Sequence, residues 1–246
     1  VTFEHALDMT TGNYDSAGDS VDEGSQKTIN EFFLTATHND KINHACAYAR
    51  KSTPGSLFVY HSSDTYILSA GLQAFYRQQA GSQADYYRDF LVEELWQPLQ
   101  LSPLSYESRR SLDSVALPWA GFGLSLLSDD LLKLARFASI DGGTIGQTQW
   151  LHPTMLDDAL QRGNNPGLTA GGSSSRYRLG FWAFDLGASA VINCPSQSWV
   201  PYMSGFGGIG VVLLPNDMIY YYVSDNNEYG FTQTVNELHK ISPVCQ

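Results

Sequence analysis

Pro54-Gly55-Ser56-Leu57-Phe58-Val59-Tyr60-His61-Ser62-Ser63-Asp64-Thr65-Tyr66-Ile67-Leu68-Ser69-Ala70 is the stretch around which the rest of the 246-residue chain is organised. Pro54-Gly55 reads as a turn, 57–60 as a brief apolar run suited to a strand, and 61–65 as a polar cluster that feeds an apolar, helix-like segment from Tyr66. Tyr60 and Ser62 sit on the bend. In extended backbone, residues two apart project to the same side, so the phenol and the hydroxyl are expected to face one cleft, an arrangement suited to proton transfer. The plainer alternative is a turn in which Ser and Asp side chains bond nearby backbone groups.

The chain is long enough for one large domain or two closely packed lobes. With 43% apolar and 16% charged residues it has a globular composition, and its 22 glycines and 14 tyrosines imply many turns and sheet surfaces. Fourteen basic against 25 acidic residues give a formal charge of −11, and the basic residues form no run interleaved with aromatics. Nucleic acid and anionic membrane surfaces are therefore not expected as partners. No apolar run approaches the roughly 20 residues that cross a bilayer, so no integral membrane segment is expected. Val1-Thr2-Phe3-Glu4-His5 lacks signal-peptide character and an initiator Met, which suggests either a processed start or missing upstream sequence.

Cys46, Cys194 and Cys245 contain no Cys-x-x-Cys pair, and the six histidines form no His-x-His or His-x-x-x-His. No metal site and no cofactor are expected. One disulfide plus a free thiol would fit an exported protein and three thiols a cytosolic one, with a periplasmic or extracellular location preferred. Nothing in the sequence fixes the oligomeric state or the disulfide pairing.

Along the chain, 1–12 reads as a short helix stopped by Gly12, 13–27 as an exposed acidic loop, and 29–49 as helical in parts with Phe32, Phe33 and Ala36 on one face. A helix continues over 66–79 with Leu68, Leu72 and Phe75 at helical spacing until Gly81 breaks it. The clearest helix is 85–96, where Tyr86, Phe90, Leu91 and Leu95 share a face and Pro98 stops it. Ser128 is expected to cap a further helix with Asp129 and Asp130 in its first turn. The glycine- and serine-rich 163–175 divides a mostly helical part, 1–162, from 176–246, where strands are expected at 177–184, 209–214 and 218–223 and a helix at 231–240.

Five segments in order resemble the class C β-lactamase-like serine hydrolases, which include esterases, 6-aminohexanoate-oligomer hydrolases and penicillin-binding-protein relatives. They are Val1-Thr2-Phe3-Glu4-His5-Ala6-Leu7-Asp8-Met9-Thr10-Thr11-Gly12, the Pro54-Gly55 to Thr65 stretch, Leu95-Trp96-Gln97-Pro98-Leu99, Gly121-Phe122-Gly123-Leu124-Ser125, and Ser204-Gly205-Phe206-Gly207-Gly208-Ile209-Gly210-Val211-Val212-Leu213-Leu214-Pro215. The resemblance runs from the first residue to about Glu237. It implies an α+β fold, an antiparallel sheet flanked by helices plus a helical lobe, here without the family's N-terminal strands and nucleophile helix.

In that family Ser-x-x-Lys supplies the nucleophile, Tyr-x-Asn or Tyr-x-Ser the second motif, and Lys-Thr-Gly or a looser glycine version the third, on a strand lining the cleft. By resemblance, Tyr60-His61-Ser62 is the second motif. Tyr60 would act as a phenolate, its pKa lowered by a neighbouring ammonium, and Ser62 would bond substrate or lysine. The third motif maps to Phe206-Gly207-Gly208, with the Ile209 N–H as candidate oxyanion donor; a plain glycine bulge is the alternative. Trp199, Tyr202 and Phe206 form either an aromatic wall for substrate or ordinary core, while Asp64 and Tyr66 fix the bend and pack the helix.

Two departures shape the functional expectation. Phe206 stands where β-lactam-handling relatives place Lys or His, which favours a small-molecule ester or amide over penicillins. No Ser-x-x-Lys exists: Lys27, Lys41, Lys51, Lys133 and Lys240 are preceded at the third position by Gly24, His38, Tyr48, Asp130 and Glu237. The expected protein is an N-terminally truncated serine hydrolase working through an acyl-enzyme, inactive as it stands. The alternatives are a non-catalytic ligand-binding homologue and a β-lactam or D-alanyl-peptide hydrolase. Gly18-Asp19-Ser20 has the look of a lipase nucleophile motif, but no apolar strand precedes it and it reads as solvated loop.

Overall fold

A computed structural model describes residues 1–16, 21–189, 192, 194, 195 and 198–245, so Gly18-Asp19-Ser20 lies outside the described residues. The chain forms two compact units, Val1–Leu131 and Leu132–Gln246.

The first unit is built from short helices. In α1 (Phe3–Leu7) the Thr2 hydroxyl accepts from the His5 N–H while the His5 ring accepts from the Thr2 N–H. A brief α2 (Gln26–Thr28), capped by Ser25, runs into a wide π-type turn, Ile29–Phe33, and α3 (His38–Cys46) is capped by Thr37. The long α4 (Ser62–Ala80) ends at Gly81, whose φ of 103° only glycine adopts freely. The segment expected as the clearest helix, Tyr86–Trp96, is helical but wound in π-type turns; the Asp85 carboxylate caps it by accepting from the Tyr87 and Arg88 N–H groups.

Phe32, Tyr66, Leu117 and Trp119 are the core against which α4 packs. The Phe32 ring lies 5.8 Å from Tyr66 and 5.4 Å from Trp119, and the Tyr66 hydroxyl meets His38 Nδ1 at 3.1 Å. The helical period of α4 was legible, but its phase differs from the expected Leu68, Leu72 and Phe75. Ser62, Tyr66, Ser69 and Gln73 are the inward residues, and Phe75 is 56% exposed. Polar residues occupy this face because the fold satisfies them. Ser69 Oγ donates to the Pro118 carbonyl at 2.6 Å and meets the Tyr86 hydroxyl at 2.8 Å, while Gln73 donates to the Ala84 carbonyl and accepts from the Tyr86 N–H.

Helix α5 (Ser128–Ser139) spans the boundary between the units and includes Ser128 as its first residue. The second unit continues with a small hairpin, β1 (Thr144–Ile145) and β2 (Thr148–Gln149), and α6 (Pro153–Ala159). Then comes an antiparallel meander of β3 (Leu168–Thr169), β4 (Ser175–Arg178), β5 (Phe181–Asp185), β6 (Trp199–Gly205), β7 (Ile209–Leu213) and β8 (Ile219–Val223), in which sheet order follows chain order. The chain closes with α7 (Thr232–Ile241).

Two differences from the expected strands have clear causes. The single strand expected at 177–184 is a hairpin, because Leu179 and Gly180 turn the chain with φ of 48° and 91°. Leu at a left-handed position gives no turn signal in sequence. Strand β6 was not anticipated, since Pro201 sits in its middle, yet Pro201 is buried and pairs with Ala183. Val200, Val212 and Leu214 meet Phe231 and Val235 of the α7 region in one core, which also holds Cys194 and Val244.

Cys194 and Cys245 form a disulfide with Cα atoms 5.4 Å apart, leaving Cys46 exposed and free. Thiol titration of the folded, unreduced chain is expected to report one reactive thiol, rising to three after reduction and denaturation. Because the bridge closes 51 residues of chain, its reduction is expected to cost the second unit about 2–4 kcal/mol in urea unfolding.

Candidate functional site

The Tyr60 bend is held from outside by residues 21–23. Tyr60 forms a parallel bridge with Val21, and its carbonyl accepts from the Asp22 N–H at 2.8 Å. The Asp22 carboxylate, 1% exposed, accepts in turn from the Asp15 and Ser16 N–H groups at 2.9 and 2.7 Å. Glu23 Oε1 accepts from the Ser62 N–H, and the Ser62 hydroxyl also bonds this carboxylate. Burial, only partly offset by those bonds, leaves the Glu23 carboxyl above its ordinary value.

Ser62 is the first residue of α4, and His61 is its extended N-cap with φ −158° and ψ 128°. Ser62 therefore belongs to a helix where the sequence pattern expected extended chain, while His61 between it and Tyr60 is extended. Ser62 is 9% exposed. Burial pushes the Tyr60 phenol up to about 12, with the charge of Glu23 acting in the same direction. That is opposite to the lowering the resemblance implies.

Asp22 and Glu23 are the residues that sequence reasoning missed. They were placed in an exposed loop on composition, whereas Asp22 is buried and Glu23 reaches a backbone N–H 39 residues away. A contact of that separation leaves no local pattern; the only available cue was two adjacent acids just ahead of the Ser25 cap.

In the second unit Phe206, Gly207 and Gly208 are the turn between β6 and β7, not part of a strand. Phe206 is 93% exposed at its tip. Gly207 and Gly208 have φ of 91° and 96°, and a Cβ on Gly208 would stand 2.1 Å from Ser224 Oγ and 2.7 Å from the Glu228 carbonyl. Ile209 starts β7, opposite Gly205 on one side and Val223 on the other. The segment that does lie on a strand and places a hydroxyl before a glycine is Met203-Ser204-Gly205, at the end of β6.

Trp199 and Tyr202 alternate to opposite faces of β6 and do not form one wall with Phe206. Trp199 lies under the Arg176 guanidinium at 4.1 Å, while Tyr202 packs on Phe231 at 5.0 Å and on Trp182 at 6.3 Å, next to the core.

A cavity of about 330 Å³ in the first unit is lined by Thr35, Ala36, Arg109, Arg110, Leu112 and Trp119, none of them a sequence-predicted site residue. Behind its Trp119 wall the Lys41 ammonium donates to the Phe32 and Thr35 carbonyls at 2.7 Å each and stands 3.7 Å from the indole centroid. Burial, helped by Arg109, pulls that ammonium down to about 8. Its bonds to carbonyls at the end of the Ile29–Phe33 turn give it a capping role. Among the described residues no cluster of three or more His, Cys, Asp or Glu is arranged to hold a metal ion, and no helix is long and apolar enough to cross a membrane.

No family model and no curated protein sequence matches the chain. Solved structures do. A protein assigned as a 6-aminohexanoate-dimer hydrolase from Bacillus anthracis superposes with a TM-score of 0.63 at 15% identity, over 100% of this chain and 63% of that one. A protein assigned as a β-lactamase from Bacteroides dorei gives 0.58 at 14% identity, over 100% of this chain and 73% of that one. SurE, solved with D-Leu, gives 0.54 at 15% identity, over 100% of this chain and 56% of that one. The chain thus has a β-lactamase/penicillin-binding-protein-like fold, and it spans less than two thirds of the length of the first and third of these structures.

The Tyr60 shift carries a sign. A phenol whose folded pKa is raised binds its proton more tightly folded than unfolded, so its stabilising share is intact below pH 10 and is lost between 10 and about 12. In a ¹³Cζ-tyrosine NMR titration Tyr60 is expected to ionise well after a free tyrosine in the same buffer. Ionisation of Tyr60 near or below pH 10 would contradict the buried setting.

Proposed function

We propose that this chain is part of a serine hydrolase of small esters or amides that works through an acyl-enzyme, with its Ser-x-x-Lys motif encoded upstream of Val1. The observation that carries the reading is the order of secondary structure around Tyr60-His61-Ser62. This motif stands at the start of a long helix, in a fold shared with structures described as hydrolases of this type. The absence of Ser-x-x-Lys from all 246 residues supports the location of the nucleophile elsewhere.

Within the first unit, Tyr60 is the proton-transfer group. A phenol held near 12 is a weak base precursor in the chain as it stands; an ammonium brought beside it would lower that value and make the phenolate accessible. Ser62 is committed through its N–H and hydroxyl to Glu23, so its contribution is to bind and orient.

Within the second unit, the third motif falls on Met203-Ser204-Gly205, with the Phe206-Gly207-Gly208 turn beside it. Ser204 is exposed, and Ser204 with the backbone N–H groups of this hairpin, Ile209 among the candidates, would hold the substrate carbonyl. Neither Met203 nor Phe206 supplies the cation that recognises a β-lactam carboxylate, so ester and amide substrates are favoured.

A second reading, a ligand-binding homologue without catalysis, is favoured by the upward shift of Tyr60. The two separate on kinetics. A longer protein carrying the upstream frame is expected to show an acylation burst with a p-nitrophenyl ester, and Tyr60→Phe to lower kcat by about 10²–10⁴-fold. The 246-residue chain alone is expected to show no burst. A burst from this chain, or full activity in the Tyr60→Phe variant, would overturn the proposal.

A further inference from the structure

Between Tyr60 and Ser62 stands a histidine that the hydrolase reading does not use. His61 and Asp64 are each 1% exposed. His61 Nδ1 is in contact with the Val59 carbonyl, and Nε2 lies 3.0 Å from Asp64 Oδ1. A carbonyl only accepts, so Nδ1 must carry a hydrogen, and a carboxylate 3.0 Å from Nε2 favours one there as well. With both ring nitrogens protonated the ring is a cation. The Nε2 approach is close but not aligned as a hydrogen bond, so charge carries most of this attraction. Asp64 is itself steadied by the Thr11 hydroxyl, which donates to Oδ1 at 2.8 Å.

We propose that His61, held as a buried imidazolium between the Val59 carbonyl and the Asp64 carboxylate, is the positioning residue that fixes Tyr60 and Ser62 in the bend. The proposal rests on reading Tyr60 and Ser62 as the site. His61 joins the residue before Tyr60, through Val59, to the first turn of α4, through Asp64, so the ring spans both sides of the bend. Thr11 ties the same carboxylate to the segment after α1. The bend thus depends on a charge as well as on backbone bonds.

The groups that act on His61 are Asp64 on its own helix, Glu23 from the segment bridged to Tyr60, and the Val59 carbonyl. Burial alone would pull the imidazolium down; Asp64, by charge and proximity, then the Val59 carbonyl and Glu23, outweigh it, and the net shift is upward from 6.5. A histidine whose folded pKa is raised contributes stability that is complete below about pH 6.5 and lost as pH rises through its folded value. The clamp therefore weakens on the alkaline side.

The test is a pH titration of this chain with ¹⁵N-labelled histidine and ¹³Cζ-labelled tyrosine. His61 is expected to show both nitrogens protonated at pH 7.5, where a solvent-facing imidazole has become neutral, and the Tyr60 resonance is expected to move with the His61 midpoint. In Asp64→Asn the His61 midpoint is expected to fall by about one pH unit or more, and the Tyr60 resonance to shift at pH 7. A neutral His61 at pH 7.5 overturns the proposal, as does a Tyr60 signal indifferent to Asp64→Asn in a folded chain. If that variant does not fold, the unsubstituted chain still decides, since a Tyr60 resonance that ignores the His61 titration also overturns it. None of these readouts uses turnover, so loss of the hydrolase reading in the longer protein would leave them standing, and the reverse.

Discussion

Taking the Tyr60–Ser62 bend out of water requires a partner for each of its polar groups, and the first unit is arranged to supply them. A buried donor or acceptor left unpaired costs about 1–3 kcal/mol. Two separate segments meet this demand: in one, Met9 accepts from the Val59 N–H at 3.0 Å and Thr10 from the Gly55 N–H at 2.9 Å, and in the other the Asp22 N–H reaches the Tyr60 carbonyl. Glu23 then takes the first N–H of α4. A helix N-terminus favours a carboxylate, and Glu23 and Asp64 both occupy that position at α4. The bend is set by long-range pairing and only weakly by its own sequence.

The second unit meets a different constraint. Its meander pairs each strand with its chain neighbour, so the sheet can form by local steps with short closures. The turns decide its shape. Gly208 is fixed by Ser224 and Glu228, whose atoms occupy the space a side chain would need, and the hairpin tip is thereby locked against the 224–228 segment. Phe206 is pushed outward at that tip, and the α7 side of the sheet is closed by Phe231 and Val235 beside the Cys194–Cys245 bridge.

Period was readable and phase was not. Helical spacing located α4, Tyr86–Trp96 and α7 within a few residues, since 3.6-residue periodicity survives without tertiary information. Which side of α4 faces inward depended on Tyr86, Ala84 and Pro118 accepting or giving bonds to Ser69 and Gln73, which composition cannot show. Pro201 hid β6, and with it the fact that Ser204-Gly205 ends a strand and Phe206-Gly207-Gly208 is the turn that follows. The environment of Tyr60 was not legible: the acids near it come from a stretch that reads as solvated loop.

What the fold presents, in one unit, is a half-buried phenol next to the first turn of a long helix and, in the other, a glycine hairpin with an adjacent exposed serine. Such groups can move a proton and hold a carbonyl, but acyl transfer also needs an attacking atom with a base. The central claim is that this atom lies in the same reading frame ahead of Val1. Sequencing the DNA upstream of the Val1 codon tests it most directly. The account predicts an open frame containing Ser-x-x-Lys, preceded by a strand-forming segment. A frame that closes on a start codon without that motif would contradict it.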